Sequence, residues 1–401
     1  MTRTQRLPGV AMKAASSTRS ALLCLVLLWL AGNGMRLTIL APPPVISLIH
    51  ADLRMSETEV GLLSGIPAAL FAFAAVPGSL LIARFGALNA LLIGLLSTAI
   101  GSALRGAAPN VAALYAATVV TGFGVAVMQP SMPPLVRAWL PDRIGFATAV
   151  YTNGLLIGEV LPVALTLPVV LPLVGSWRLD FAVWGALCVL IALAVALLAP
   201  RPEKAAPLAP PRKWWPDWGS PLIWQLGVML GSVNAMYFST NFFIPRYLHE
   251  TGREADISAA LTALNVGQLP ASLLLLMVAG GLERRAWPYV LCGLLSLAAI
   301  LGIVFGNAVL VIGGAGLLGF AAAGVLILML ALPPLLSPPE DVHRTAAAMF
   351  TISYTGAVIV PVLAGFAWDV SGIPAMAFLP IGLCAILLIV PATALRIGPH
   401  R

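Results

Sequence analysis

The chain has 401 residues, 60% of them hydrophobic and 9% charged, with a mean hydropathy of +0.98 and a formal net charge of +7. Soluble domains carry about 25% charged residues, so this composition excludes a soluble globular protein and indicates a polytopic membrane protein. The basic excess does not mark a nucleic-acid binder, because Lys and Arg are scattered through short loops between apolar runs, the pattern that orients membrane proteins.

Twelve apolar runs lie near residues 21–49, 57–83, 88–107, 110–136, 145–174, 178–199, 221–248, 257–281, 288–306, 308–336, 345–368 and 374–395. Each has roughly the 20 residues that a membrane helix needs. The first run follows basic residues and contains the small pair Ala31-Gly32. It exceeds the 7–15 residues of a signal core, so it reads as an uncleaved span. Arg36 is the only charge within it. An ionised side chain at that depth must face a partner or a watery cavity. A guanidinium there offers a planar fork of donors to carboxylate-like groups. Its depth argues against snorkelling; the other alternative is a purely structural ion pair.

The fourth run carries Gln129, and the fifth carries Tyr151, Asn153 and Glu159. Of fifteen acidic residues, Glu159 alone falls away from loops and span edges. It reads as a proton-coupling group or a partner that Arg36 loses and regains, against a permanent structural pair with Arg36. The seventh run holds Asn234, Tyr237 and Asn241, with Arg246 at its outer end as an interfacial anchor or a gate. Gln268 lies in the eighth run and Tyr354 in the eleventh. Such neutral polar residues either line a cavity or bond helix to helix.

The stretch 200–220 is Pro-rich, carries Arg201, Glu203, Lys204, Arg212 and Lys213, and ends in Trp214, Trp215 and Trp218, which suits a headgroup-level linker. It divides six spans from six. The expected organisation is a tail at 1–20, a six-helix unit at 21–199, the linker, a second six-helix unit at 221–396 and a tail at 397–401. With a cytoplasmic N-terminus, inner segments hold 16 Lys and Arg, while outer loops hold only Arg54, Arg105, Arg178 and Arg253. Both termini are therefore expected on the cytoplasmic side of the inner membrane.

The halves echo one another. Gly65-Ile66-Pro67-Ala68-Ala69-Leu70 matches Gln268-Leu269-Pro270-Ala271-Ser272-Leu273 at an offset of 203, which also carries Pro42 onto Pro245. Pro133-Pro134-Leu135 matches Pro333-Pro334-Leu335 at an offset of 200. A duplicated six-span unit is a transporter architecture. Cys24, Cys188, Cys292 and Cys384 fall in apolar segments and read as small buried hydrophobes. His50, His249, His343 and His400 fall in loops or the tail without ligand spacing. An intramembrane enzyme would need a nucleophile–base pair or metal ligands at depth, so none is expected, nor any cofactor or metal.

The fourth span and its exit, Gly122-Phe123-Gly124 through Gln129, Pro133, Leu135-Val136-Arg137 and Leu140-Pro141, resemble a run of the major facilitator superfamily. The resemblance is to its cyanate/2-nitroimidazole transporter (CynX/NimT) branch and covers nearly the whole chain. Arg36 and Pro44, Tyr151-Thr152, Trp177-Arg178 and Pro245-Arg246-Tyr247-Leu248 agree with that branch. Gly34, Leu37 and Gln129 depart from it. The general signature after the second span survives only as Leu81, Arg84 and Gly86.

The resemblance implies an all-α membrane protein of twelve transmembrane helices in two pseudo-symmetric six-helix bundles. It implies a secondary active transporter, with the fourth, seventh, eighth and eleventh spans lining its cavity. The expected substrate is a small anion or small polar organic solute, cyanate-like, carboxylate or nitro-heteroaromatic, moved by alternating access. The alternative is a proton-driven exporter of cationic or neutral drugs. Expected partners are that solute, protons and the lipid bilayer, with no nucleic acid, and the protein is expected to be a monomer.

Overall fold

The computed structural model describes residues 8–55, 57–200, 213–278 and 281–393. Most of the expected linker and parts of both tails, with His400, lie outside them. The helices are α1 (Pro8–Gly34), α2 (Pro42–Leu53), α3 (Glu57–Phe85), α4 (Ala87–Gly106), α5 (Val111–Trp139), α6 (Ile144–Leu165), α7 (Leu171–Val174) and α8 (Trp177–Leu198). After the linker come α9 (Pro221–Glu250), α10 (Ile257–Val266), α11 (Gln268–Val278), α12 (Ala286–Phe305), α13 (Ala308–Leu336), α14 (Val342–Ser371) and α15 (Phe378–Thr393). The first crossing is the broken pair α1–α2, the fifth is α6–α7 joined by a π-helical turn at Thr166–Val170, and the eighth is α10–α11.

Among the described residues, nine helical stretches are long and apolar enough to cross a membrane. The other three crossings are α1–α2, α3 and α9. All three supply residues to the central cavity described below. His50, His249 and His343 sit within α2, α9 and α14 rather than in loops, because these helices continue past their apolar runs into polar flanks.

Packing repeats between the halves. In the first, α4 packs on α5 and α8, α1 on α6, and α3 on α5. In the second, α12 packs on α13 and α15, α9 on α14, and α10–α11 on α13. Each contact of one half thus has its counterpart in the other. Local signals repeat as well. Asn110 and Asn307 cap α5 and α13 by accepting from Ala113 N and Leu310 N, satisfying a helix-end donor. Gly175 and Gly372 end the fifth and eleventh crossings at φ of 70° and 66°, a conformation that costs glycine little. Both pairs stand 197 residues apart. The result is an all-α membrane protein of twelve crossings in two pseudo-symmetric six-helix bundles, with large apolar side chains such as Phe73, Leu197 and Phe305 on its outer surface.

The halves meet through α3 on α14 and through α6 on α11 and α13. At the linker end, the Arg137 guanidinium donates to the Ser337 carbonyl. Ser79 Oγ donates to Trp214 O at 2.8 Å, and a His343 ring nitrogen lies 3.1 Å from Lys213 O. Trp214, Trp215, Trp218 and Trp224 form a chain of ring contacts there. Toward the opposite end, a chamber of about 800 Å³ separates the halves.

Candidate functional site

Arg36 lies in the break between α1 and α2. Pro42, Pro43 and Pro44 open α2, and prolines without N–H groups cannot bond back to the preceding turn. The carbonyl that Pro42 leaves free, four residues back, is that of Thr38. Arg105 Nη1 donates to it at 2.7 Å. The break therefore has a defined geometry, which sets where the Arg36 side chain enters the cavity.

Glu159 comes from α6, held against α1 by glycines. A Cβ on Gly154 would lie 2.2 Å from Trp29 O, and one on Gly158 would lie 2.6 Å from Asn33 O. This Gly-x-x-x-Gly spacing lets the two backbones touch, the usual way of bringing membrane helices close. The carboxylate next to Gly158 then meets Arg36 at 3.2 Å, from Nε to Oε1. The side chains are 11% and 25% exposed, so the pair faces the cavity. Arg36 Nε has no aligned hydrogen bond, so the contact is one of charge. The guanidinium carbon also stands 5.6 Å from the centre of the Phe71 ring, a cation–π distance.

Above the linker-end contacts, Arg36, Glu159, Gln129, Tyr151, Asn234, Tyr237, Gln268 and Tyr354 line one recess of about 40 Å³. A water requires about 10–15 Å³ on such a measure, so the recess suits a group of a few heavy atoms. Arg36, Glu159, Tyr237 and Gln268 also line the larger chamber. Gln129 Nε2 donates to Tyr354 Oη at 2.8 Å, while Gln129 Oε1 has no partner. Tyr354 packs between Phe71 and Phe350, at 5.1 and 6.3 Å between ring centres. Asn234 Nδ2 donates to Ser353 Oγ at 2.7 Å. Gln268 Nε2 donates to Tyr237 Oη at 2.9 Å, and that hydroxyl donates to Asn265 Oδ1. Positive charge, a carboxylate, amides and flat rings thus surround one small space. It can grip a planar anion or a polar heteroaromatic edge-on by hydrogen bonds and face-on by stacking.

Two expected site residues stand apart from that recess. Asn153 accepts from Trp29 Nε1 at 3.0 Å and donates to Ser272 Oγ at 3.1 Å. It spends its amide joining α1, α6 and α11. Asn241 donates to Tyr237 O and accepts from Asn265 Nδ2, both at 3.0 Å, so it stands behind Tyr237. Arg246 is exposed and lies 5.2 Å from the Trp368 ring centre.

Residues that the sequence reading passed over include Phe71, Asn265, Ser272, Ser353 and Arg105. Asn265 carries the signal that flagged its neighbours, an amide inside an apolar span. Arg105 differs from its expected place in an outer loop. It lies in the last turn of α4 and is 1% exposed, because that helix runs on to Gly106 and its end is covered. Arg178 covers it, donating to Gly106 O and Ala108 O at 3.2 and 2.6 Å and pairing with Asp52 at 2.9 Å.

The family model for the Major Facilitator Superfamily matches residues 24–282. The chain belongs to that superfamily. It is 27% identical to the cyanate transport protein CynX of Escherichia coli (strain K12), over 94% of this chain and 97% of the relative. It is 27% identical to the 2-nitroimidazole transporter of the same organism, over 57% and 58% of the two chains. An uncharacterized transporter, YycB, of Bacillus subtilis (strain 168) is 26% identical; there the match spans 63% of this chain and 62% of the relative. These likenesses agree with the cyanate/2-nitroimidazole branch expected from the motifs. Among solved structures, the transporter FucP in its outward conformation superposes with a TM-score of 0.71 at 13% identity, covering 94% of this chain and all of that one. The protein is a multi-pass membrane transporter and not an enzyme.

Proposed function

We propose that this protein is a secondary active transporter that takes a small anion, or a small polar planar solute, at Arg36. Cyanate-like ions, carboxylates and nitro-heteroaromatics share electron-rich oxygen or nitrogen atoms that accept hydrogen bonds from a guanidinium. The observation that carries this reading is the Arg36–Glu159 pair facing a small aromatic-walled recess, which opens on one side into the chamber. Gln129, Tyr151, Asn234, Tyr237, Gln268 and Tyr354 supply the neutral contacts, with Asn153 and Asn241 holding helices around them.

The units 21–199 and 221–396 act as two bodies in alternating access. The linker end is cytoplasmic, by the excess of Lys and Arg there, and the chamber faces outward across the inner membrane. Substrate arriving at Arg36 competes with Glu159 for the guanidinium. The freed carboxylate then accepts a proton, so that anion and proton favour each other's binding. A drug exporter would need Glu159 free for a cation, whereas it faces Arg36 at 3.2 Å.

The test is uptake of cyanate into proteoliposomes, with and without an inward proton gradient, alongside 2-nitroimidazole as the neutral planar probe. Arg36→Lys keeps the charge and loses the fork, so it should fold normally and transport poorly. Parental transport by Arg36→Ala would refute the anion site.

A further inference from the structure

Arg105 is a second guanidinium in the chamber wall, and its surroundings differ from those of Arg36. Phe181 lies 5.8 Å from its charged carbon. Among the described residues no carboxylate pairs with it. Asp180, beside Phe181 in sequence, turns its carboxylate to Thr166 Oγ1 and Trp184 Nε1 at 3.2 and 3.0 Å. Only Nη1 of Arg105 is used, on the Thr38 carbonyl; Nε, Nη2 and the neighbouring Thr38 Oγ1 have no partner.

Capping one carbonyl requires a donor but no charge. A neutral amide side chain could do it, and an uncompensated buried cation is costly in a membrane protein. The unused face of the fork and the Thr38 hydroxyl have the chemistry of an anion site. Their position agrees with this. Arg105 ends α4 at the chamber side, and Thr38 is two residues beyond Arg36 toward the same end. Glu159 offsets Arg36, so Arg105 leaves the chamber wall with a net positive charge.

We propose that Arg105 is a second anion-binding subsite, a capture station that takes the solute anion from the chamber and passes it to Arg36. This rests on the reading of Arg36 as the central anion site. The ligand class is a small monovalent anion with delocalised charge, such as cyanate or a short carboxylate. Charge in a low-dielectric cleft concentrates such ions and speeds their arrival.

The experiment uses the full-length protein in lipid nanodiscs and proteoliposomes, with radiolabelled cyanate as probe and gluconate replacing chloride. Arg105→Gln keeps a donor for the Thr38 carbonyl and loses the charge. It should raise the KM for external cyanate about tenfold while the maximal rate stays within about twofold. Arg105→Lys should stay within about threefold of the parent in KM. In nanodiscs, Arg36→Gln should retain weak cyanate binding that disappears in the Arg36→Gln/Arg105→Gln double variant. An unchanged KM in Arg105→Gln, or no residual binding in folded Arg36→Gln, overturns the proposal. If Arg105→Gln does not fold, the residual binding of Arg36→Gln decides alone. Parental transport by Arg36→Gln would instead refute the central site, leaving the Arg105 result to be read separately.

Discussion

The two six-helix halves share a scaffold and divide the chemistry unequally. Around the recess, the first half supplies the charges, Arg36 and Glu159, while the second supplies only amides, hydroxyls and rings. The offset that relates Pro42 to Pro245 takes Arg36 onto Ser239, a fully buried serine. The first crossing breaks at its prolines, yet α9 runs unbroken through Pro245. Duplication thus accounts for where the helices lie, and a few departures from symmetry account for the site. Under the proposed function, an anion held by the charged half and enclosed by the neutral one would give the two bodies a reason to close on each other.

The widest gap between the halves should appear at Arg36. Charge-assisted hydrogen bonds are worth about 1.5–3 kcal/mol, so Arg36→Ala should lower cyanate uptake by roughly a hundredfold at subsaturating substrate. No single neutral substitution in the second half should approach that loss. Initial-rate uptake in proteoliposomes makes the comparison, and equal losses on both sides would end it.

Substitution of Glu159 should separate coupling from binding. With Glu159→Gln the carboxylate can no longer exchange a proton, yet its amide still meets the cavity. Counterflow of cyanate should persist, whereas accumulation driven by a proton gradient should vanish. A Glu159→Gln protein that accumulates substrate like the parent would leave the carboxylate a structural partner of Arg36 only.

Much of this was legible in the sequence. Apolar run length gives all twelve crossings, since a bilayer tolerates few exceptions to it. Arg36 and Glu159 stand out because charge at depth is costly. Other features depend on how helices meet. Nothing in a linear reading separates Asn153, which joins helices, from Gln129, which lines the recess, because facing is set by crossing geometry. Arg105 looked like a loop residue because it ends an apolar run, and it is contacts from other elements, Phe181 and the Thr38 carbonyl among them, that bury it. The broken first span had a signal in Pro42-Pro43-Pro44, and the close α1–α6 approach had one in Gly154 and Gly158.

That approach gives a smaller, structural contrast between the halves. In the first, a methyl on Gly158 would sit 2.6 Å from Asn33 O; in the second, one on Gly356 would have its nearest contact at 3.6 Å, Gly231 O. Overpacking costs roughly 1–3 kcal/mol, so Gly158→Ala should lower thermal stability measurably and displace Glu159. Gly356→Ala should change stability by no more than about 0.5 kcal/mol. Melting of the purified proteins in detergent tests both, and matching losses would mean that the two interfaces are equally tight.

The smallest effect belongs to the hydrogen-bonded group around Tyr237. Its hydroxyl accepts from Gln268 Nε2 and donates to Asn265 Oδ1. Tyr237→Phe keeps the ring against Phe238 and deletes both bonds. Asn265 is exposed to the chamber, so water can replace the lost donor. Gln268 keeps a longer contact to Asn265 O at 3.4 Å. Such membrane hydrogen bonds average about 0.6 kcal/mol, which corresponds to a roughly threefold rise in KM with little change in maximal rate. Loss of transport in Tyr237→Phe, with the protein folded, would make the neutral half as decisive as the charged one. The division of labour argued from Arg36 and Glu159 would then have to be abandoned.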